Sequence, residues 1–358
     1  MHELYIEMRD SIRSIENKEA IIQQEFKYKY EKEQALADAR HEEQMALSAE
    51  REKRQQLFAW FAGGGLLLVL AFAFFIFNRL QVTRRQKKVI EEQKQVVEEQ
   101  KQKVEEQKKD ITDSIRYSEN IQRALLPTIE NLKEALPDGF VLFQPKDIVS
   151  GDFYWMQVHN NKVYFAACDC TGHGVPGAFM SMIGSSLLDE AVVEKGITQP
   201  NEIFSEVRKG FINALKQTGE TGQQKDGMDA VLCSWNKNGT LEYSLAYNPL
   251  LLIRNGEILE TKADKQPVGF HTKEQMPFTH HELKLEKGDT IYLFSDGYSD
   301  QFGGKRNKKF MMKKFKKLLL SIQDKTMNEQ KASLETTMAK WKSDTEQVDD
   351  ILVMGVRF

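Results

Sequence analysis

Carboxylates stand at the ends of apolar runs in four places: Asp152 in SGDFYW, Asp169 in YFAACDCTGHG, Asp296 in YLFSDG, and Asp349 with Asp350 just before ILVMGV. A strand that ends in Asp projects a hard oxygen ligand from a rigid element, and several such strands side by side can build a site for Mg²⁺ or Mn²⁺. The chemistry that such a set favours is metal-assisted hydrolysis, with a phosphate ester as the natural substrate. Each position also has a plainer use, because Asp is a common turn residue and Asp-Gly an ordinary turn former. Taken together they are harder to dismiss as turns. Asp169 and Asp296 each follow four or more apolar residues and precede small or Gly-rich turns, while Asp349-Asp350 leads into an apolar run.

These positions need a strand-rich scaffold, and the sequence predicts one. Val163 to Cys168, Ala230 to Trp235, Leu241 to Ala246, Leu250 to Arg254, Thr290 to Ser295 and Ile351 to Val356 read as strands, many of them wholly apolar and so buried on both faces. Helical patterns cover Ala178 to Val193, Ile203 to Leu215 and, within and after the basic stretch NKKFMMKKFKK, Phe310 to Ile322. Hairpin spacing at Asn236 to Thr240 and at Arg254 to Glu257 favours antiparallel pairing over a βαβ series. The expected fold is α+β, an αββα sandwich of two antiparallel sheets flanked by helices.

The segments KDIVSGDFYW, ACDCTGHGVPGAFM, DGMDAVLC, SDGYSDQ and VDDILVMGVRF occur in the order and rough spacing of SpoIIE-like PPM phosphatases of the RsbU type. The resemblance runs from about Ile111 to Phe358, and it implies the same αββα sandwich. It also implies two Mn²⁺ or Mg²⁺ ions with a water between them that attacks a phosphoserine or phosphothreonine. By motif, Asp152, Asp169, Asp296 and Asp349 would be the side-chain ligands. The Cys170 backbone carbonyl would be a fifth, and since only its main chain is used, the unusual side chain need not matter. The implied substrate is a phosphorylated anti-sigma antagonist of STAS type.

Further polar residues lie close by in sequence. Gly172-His173-Gly174 lacks the Lys-Ser/Thr of a phosphate-binding P-loop, so it reads as a turn beside the metal site, where His173 could orient a water or merely satisfy backbone groups. Asp226 and Asp229 in KDGMDA could bind a third metal or shape a turn, and Asp300 and Asp350 are secondary ligand candidates. No Arg in a G-x-R pattern precedes the site, so charge neutralisation would rest on the ions. No Cys-x5-Arg motif exists to form a phosphoenzyme.

The rest of the chain points to a membrane. Leu57 to Phe77 is a run of 21 residues without a charge, about 31 Å long as a helix, enough to span a bilayer once. Arg79, Arg84, Arg85, Lys87 and Lys88 follow it, against Arg51, Lys53 and Arg54 before it, which sets the C-terminal part in the cytoplasm. Residues 1–56 are polar and helix-favouring, resemble the tail of a sensor, and lack the apolar centre of a signal peptide. From Val89 to Lys109 a heptad repeats, with Ile90, Val97, Val104 and Ile111 at a and Gln93, Gln100 and Gln107 at d. A half-polar seam of this kind predicts a weak homodimeric coiled coil across 78–110, although a solvated single helix has the same pattern. Residues 111–137 would then be a regulatory helix whose apolar face, Ile111, Ile115, Ile121, Leu125 and Leu126, must be buried, and 138–358 the phosphatase domain. A net charge of −3 gives no electrostatic argument for nucleic acid, and three Cys in apolar runs suit buried reduced thiols. The leading expectation is a membrane-anchored serine/threonine phosphatase. The alternative, a catalytically silent adaptor that uses the domain for binding, would be favoured by a missing ligand, and none is missing.

Overall fold

One uninterrupted helix, α1 (His2–Leu125), forms the N-terminal third of the chain in the computed structural model, which describes residues 1–218, 225–271 and 275–358. Glu, Lys, Gln and Ala favour the helix along most of its length, and Pro127, which disfavours helical backbone in the residue before it, brings it to an end. The chain divides into two compact units, 1–103 and 104–358. The first is helix alone. Its run Leu57–Phe77 is long and apolar enough to cross a membrane, and it is not packed as the core helix of a globule, since Phe58, Trp60 and Phe61 are all exposed. The a residues Ile90 and Val97 are exposed as well.

The second unit continues with α2 (Ile129–Ala135), β1 (Asp138–Gln144), β2 (Asp152–His159), β3 (Lys162–Cys170), α3 (Gly174–Asp189, extended by a π-helical turn to Glu194) and α4 (Pro200–Ala214). Then come β4 (Gly227–Trp235), β5 (Thr240–Ala246), β6 (Leu250–Arg254), β7 (Glu257–Thr261), β8 (Val268–Gly269), β9 (His281–Lys284) and β10 (Thr290–Phe294). The chain ends with α5 (Gly297–Asp300), β11 (Phe302–Gly303), β12 (Lys308–Lys309), α6 (Met312–Ser321), α7 (Met327–Lys342) and β13 (Ile351–Arg357). One sheet has the order β1-β13-β10-β6-β7; the other runs β2-β3-β4-β5-β9, with β8 also on β4. Pairing within both sheets is antiparallel, and both expected hairpins, β4–β5 and β6–β7, are present.

Strand β3 shows why these runs read as continuously apolar. Val163, Phe165 and Ala167 join the cluster between the sheets, together with Ile291, Leu293 and Leu352, whereas Tyr164, Ala166 and Cys168 join Phe204 and Phe211 of α4 on the opposite face. A third cluster packs Tyr292, Phe294 and Val353 against Phe315 and Leu319 of α6 and Leu334 of α7. The layers are therefore helix, sheet, sheet, helix, as expected. The three cysteines are free and buried.

The apolar face expected at the end of α1 is covered by the domain only in part: Ile115 and Leu126 are half-buried, whereas Ile111, Ile121 and Leu125 are exposed. The residue that is buried there is polar: Gln122 donates to the Ser150 carbonyl (2.6 Å) and to Ser181 Oγ (2.7 Å) and accepts from Ser150 N–H (3.1 Å). This hydrogen-bonded plug accompanies the apolar contact of Leu126, which is partly buried against the α3–α4 core.

Candidate metal centre

Register creates the site. Asp152, the first residue of β2, lies opposite Asp169 near the end of β3, and Asp169 lies opposite Asp229 on β4. Directly opposed residues share a face at about 5 Å. Because Asp169 has the same parity as Val163, Phe165 and Ala167, the three carboxylates form a row on the face between the sheets. From the other sheet, Asp296 follows β10 and Asp349 precedes β13, and those two strands are paired antiparallel so that these ends coincide.

Like charges placed this close raise one another's pKa. Burial and then Asp169 push Asp152 well above the carboxylate range; burial and then Asp296 and Asp229 do the same to Asp169. Asp229 is pushed up to about 7 by burial and Asp296. Asp296 keeps access to solvent, yet the atoms packed around it, then Asp300 and Asp349, raise it too. One carboxylate oxygen, Asp152 Oδ2, is buried with no hydrogen-bond partner. An all-oxygen, carboxylate-rich donor set with an orphaned buried acceptor fits a hard divalent cation. Among the described residues, no three His, Cys, Asp or Glu side chains are drawn together closely enough to enclose an ion as they stand. The carboxylates are neighbours short of a closed shell.

The surrounding loops are fixed by close backbone approach. A Cβ on Gly151 or on Gly177 would lie 2.3 Å from the Gly172 carbonyl oxygen, and one on Gly297 would lie 1.9 Å from that of Asp350. The Gly in SGD, in PGA and in SDG is thus needed for contact between site loops. Asp350 uses both oxygens on backbone amides, Lys146 N–H at 2.7 Å and Gly151 N–H at 2.8 Å, and so braces the loop that leads to Asp152. Asp226 accepts from Thr171 Oγ1 (3.0 Å), and Asp300 is in an ion pair with Lys309 (2.6 Å). His173 is exposed, with Nδ1 3.0 Å from Asp147 Oδ2 and Nε2 3.2 Å from Lys146 Nζ. Sequence reasoning passed over Lys146, Asp147 and Gln122. The first two lie in the segment that carries the resemblance, but only the fold shows that they meet His173.

The two-sheet sandwich with carboxylates at one end is the PP2C fold. Residues 159–358 match the Stage II sporulation protein E (SpoIIE) family. Since this is more than half of the chain, the protein belongs to that family; Asp152 lies just ahead of the matched residues. Among solved structures it is similar to the SiaA-PP2C domain of Pseudomonas aeruginosa, with 30% identity, a TM-score of 0.63, and coverage of 70% of this chain and 98% of that one. Among curated proteins it is similar to phosphoserine phosphatase RsbU of Bacillus subtilis, 24% identical over 192 residues, 53% of this chain and 55% of the relative. The chain thus spans about half the length of that relative.

Proposed function

We propose that the protein is a metal-dependent serine/threonine phosphatase acting on a cytoplasmic regulatory phosphoprotein. The observation that carries this reading is the row Asp152, Asp169 and Asp229 in cross-strand register, facing Asp296 and Asp349. Asp152, Asp169, Asp296 and Asp349, with the Cys170 carbonyl, would hold two Mn²⁺ or Mg²⁺ ions, and Asp229 would complete the row. When bound, such ions supply charge neutralisation on the phosphoryl oxygens and a water activated at neutral pH. The chain's own residues do the positioning: Asp350 holds the Lys146–Gly151 loop, Thr171 ties the CDCTGHG turn to Asp226, and Lys146 and Asp147 hold the His173 ring from either side. A relative with phosphoserine phosphatase in its name supports phosphoserine as the target. The regulatory substrate, a STAS-type anti-sigma antagonist, rests on the same resemblance.

The domain scheme 1–56, 57–77, 78–110, 111–137 and 138–358 belongs to this proposal. The chain would cross the membrane once at Leu57–Phe77 with the phosphatase in the cytoplasm, which the basic cluster from Arg79 to Lys88 favours. Dimerisation gains support from the exposed residues. Continuing the heptad past Ile111 assigns Ile121 to d and Leu125 to a, so Ile111, Ile121 and Leu125, which the domain leaves exposed, fall on one seam. The test is phosphate release from phosphoserine proteins by the full chain in detergent, with Mn²⁺ and with EDTA. Mn²⁺-dependent release that Asp169→Asn abolishes is expected, and equal turnover in EDTA would refute the metal mechanism.

A further inference from the structure

Between residues 305 and 317 the sequence KRNKKFMMKKFKK carries eight Lys or Arg and no acidic residue, in a chain whose net charge is −3. Three of these cations are engaged: Lys309 pairs with Asp300 at 2.6 Å, Lys316 with Glu260 at 2.7 Å, and Lys314 lies over the Trp341 ring at 3.7 Å. Lys305, Arg306, Lys308, Lys313 and Lys317 are exposed and have no ion pair among the described residues. The fold sets this charge beside the carboxylates. The β11–β12 hairpin starts two residues after Asp300, itself the last residue of the helical turn that opens at Asp296, and Lys309 lies near enough to Asp296 to oppose the rise in its pKa. The hairpin is fastened down through Gly303 and Gly304, packed against Trp341, and through Phe310 N–H on the Gln301 carbonyl. Its charged tip is therefore held on a rigid root.

We propose that the β11–β12 hairpin with the N-terminal face of α6 is a substrate-docking surface, and that it selects phosphoproteins with Asp or Glu flanking the phosphorylated residue. This rests on the phosphatase reading, because the segment around a phosphoserine seated at the carboxylate row passes this rim. The bias has a use. A site ringed by Asp repels an acidic protein, and five unpaired cations at its border offset that repulsion and steer the encounter. An anionic membrane surface would also meet these cations, but their attachment beside Asp296 and Asp300 favours a partner that reaches the site.

The test uses the full chain in nanodiscs, with two phosphoserine peptides flanked by Glu or by Ala, and p-nitrophenyl phosphate as a small ester without flanks. Lys305→Gln, Arg306→Gln and Lys308→Gln are combined, all three being exposed. In the wild type, KM is expected to be lower for the Glu-flanked peptide, an advantage that salt removes. The triple variant should raise that KM about five- to tenfold with kcat nearly unchanged, and leave the Ala-flanked peptide and p-nitrophenyl phosphate as they were. Binding of a labelled Glu-flanked peptide, read by anisotropy, should weaken by the same factor. That arm reports on the hairpin even where no hydrolysis occurs, so failure of the phosphatase reading is seen separately as absent turnover of all three substrates. Equal KM and equal binding for both peptides in the wild type would overturn the proposal. So would a variant that changes activity only when phosphatidylserine replaces phosphatidylcholine in the nanodisc.

Discussion

Replacing Asp229 by Asn should stabilise the metal-free protein and weaken its response to metal, two effects of opposite sign from one atom. Asp229 lies opposite Asp169 and within the field of Asp296, and its carboxyl is raised from the usual 3.8 to about 7. A folded pKa above the unfolded one means that the native state binds the proton more tightly. The penalty is then absent below about pH 4, grows as the pH rises towards 7, and is constant above that. A rise of this size corresponds to about 4 kcal/mol. Since the side chain is only partly buried, about half of that, some 2 kcal/mol, should register as stability. Asn keeps the shape and removes the charge. In EDTA, thermal unfolding of the full chain near pH 8 should show the variant melting about 4–8 °C higher than wild type, the gain fading towards about pH 4. The increase in melting temperature on adding Mn²⁺ should in turn be smaller than in wild type, because the proposed site loses one carboxylate charge beside Asp169 and Asp296. A pH-independent change in EDTA, or an unaltered Mn²⁺ response, would refute the argument that these carboxylates repel one another in order to share cations.

Three other substitutions probe the supports. Gln122→Leu keeps the volume but strands the Ser150 N–H and leaves the Ser150 carbonyl with only the longer bond from Ser181 Oγ (3.3 Å), so it should cost about 1–3 kcal/mol in denaturant unfolding. It should also raise the Mn²⁺ concentration for half-maximal activity, because Ser150 is two residues from Asp152; a loss of stability with an unchanged Mn²⁺ midpoint would make the plug purely structural. Asp350→Asn replaces one accepting oxygen by an NH2 donor that faces a backbone N–H, which should cost about 1–3 kcal/mol and lower phosphate release, measured on the same samples. Gly177→Ala drives a methyl into the Gly172 carbonyl and should cost about 1–3 kcal/mol while displacing the His173 turn, seen as a fall in kcat.

What the sequence disclosed follows from how these strands are buried. β3, β4, β10 and β13 are covered on both faces, so they read as unbroken apolar runs, and an Asp at the end of such a run stands out. β9 (HELK) and β7 (EILET) sit at sheet edges with half their side chains exposed, and so left no comparable run. α7 carries few apolar residues, and its best signal was local: Thr326 and Glu329 form a capping box that the T-x-x-E spacing advertises. Register was beyond reach, since pairing is a property of two segments at once. The SGD and CDC motifs each offer an Asp, but only the alignment of β2, β3 and β4 turns Asp152, Asp169 and Asp229 into one row.

The end of α1 shows the same limit from the other side. Apolar spacing identified Ile111, Ile121 and Leu125 as residues that need cover, yet it could not say which body covers them, and the domain leaves them exposed. Gln122, one position from Ile121, is the residue that the domain takes up, and no periodicity marks a polar side chain whose partners are a carbonyl, an amide and a hydroxyl far along the chain. The two faces of the helix thereby differ: one is tied by hydrogen bonds to the loop before Asp152, and the other, on the proposed dimer seam, is left exposed by the domain. Movement of a paired seam would then pull on Ser150 directly. If so, Ile121→Glu and Leu125→Glu together should abolish crosslinked dimers of the full chain and shift the Mn²⁺ midpoint in the same direction as Gln122→Leu. Loss of dimers with an unchanged midpoint would instead separate assembly from the metal site.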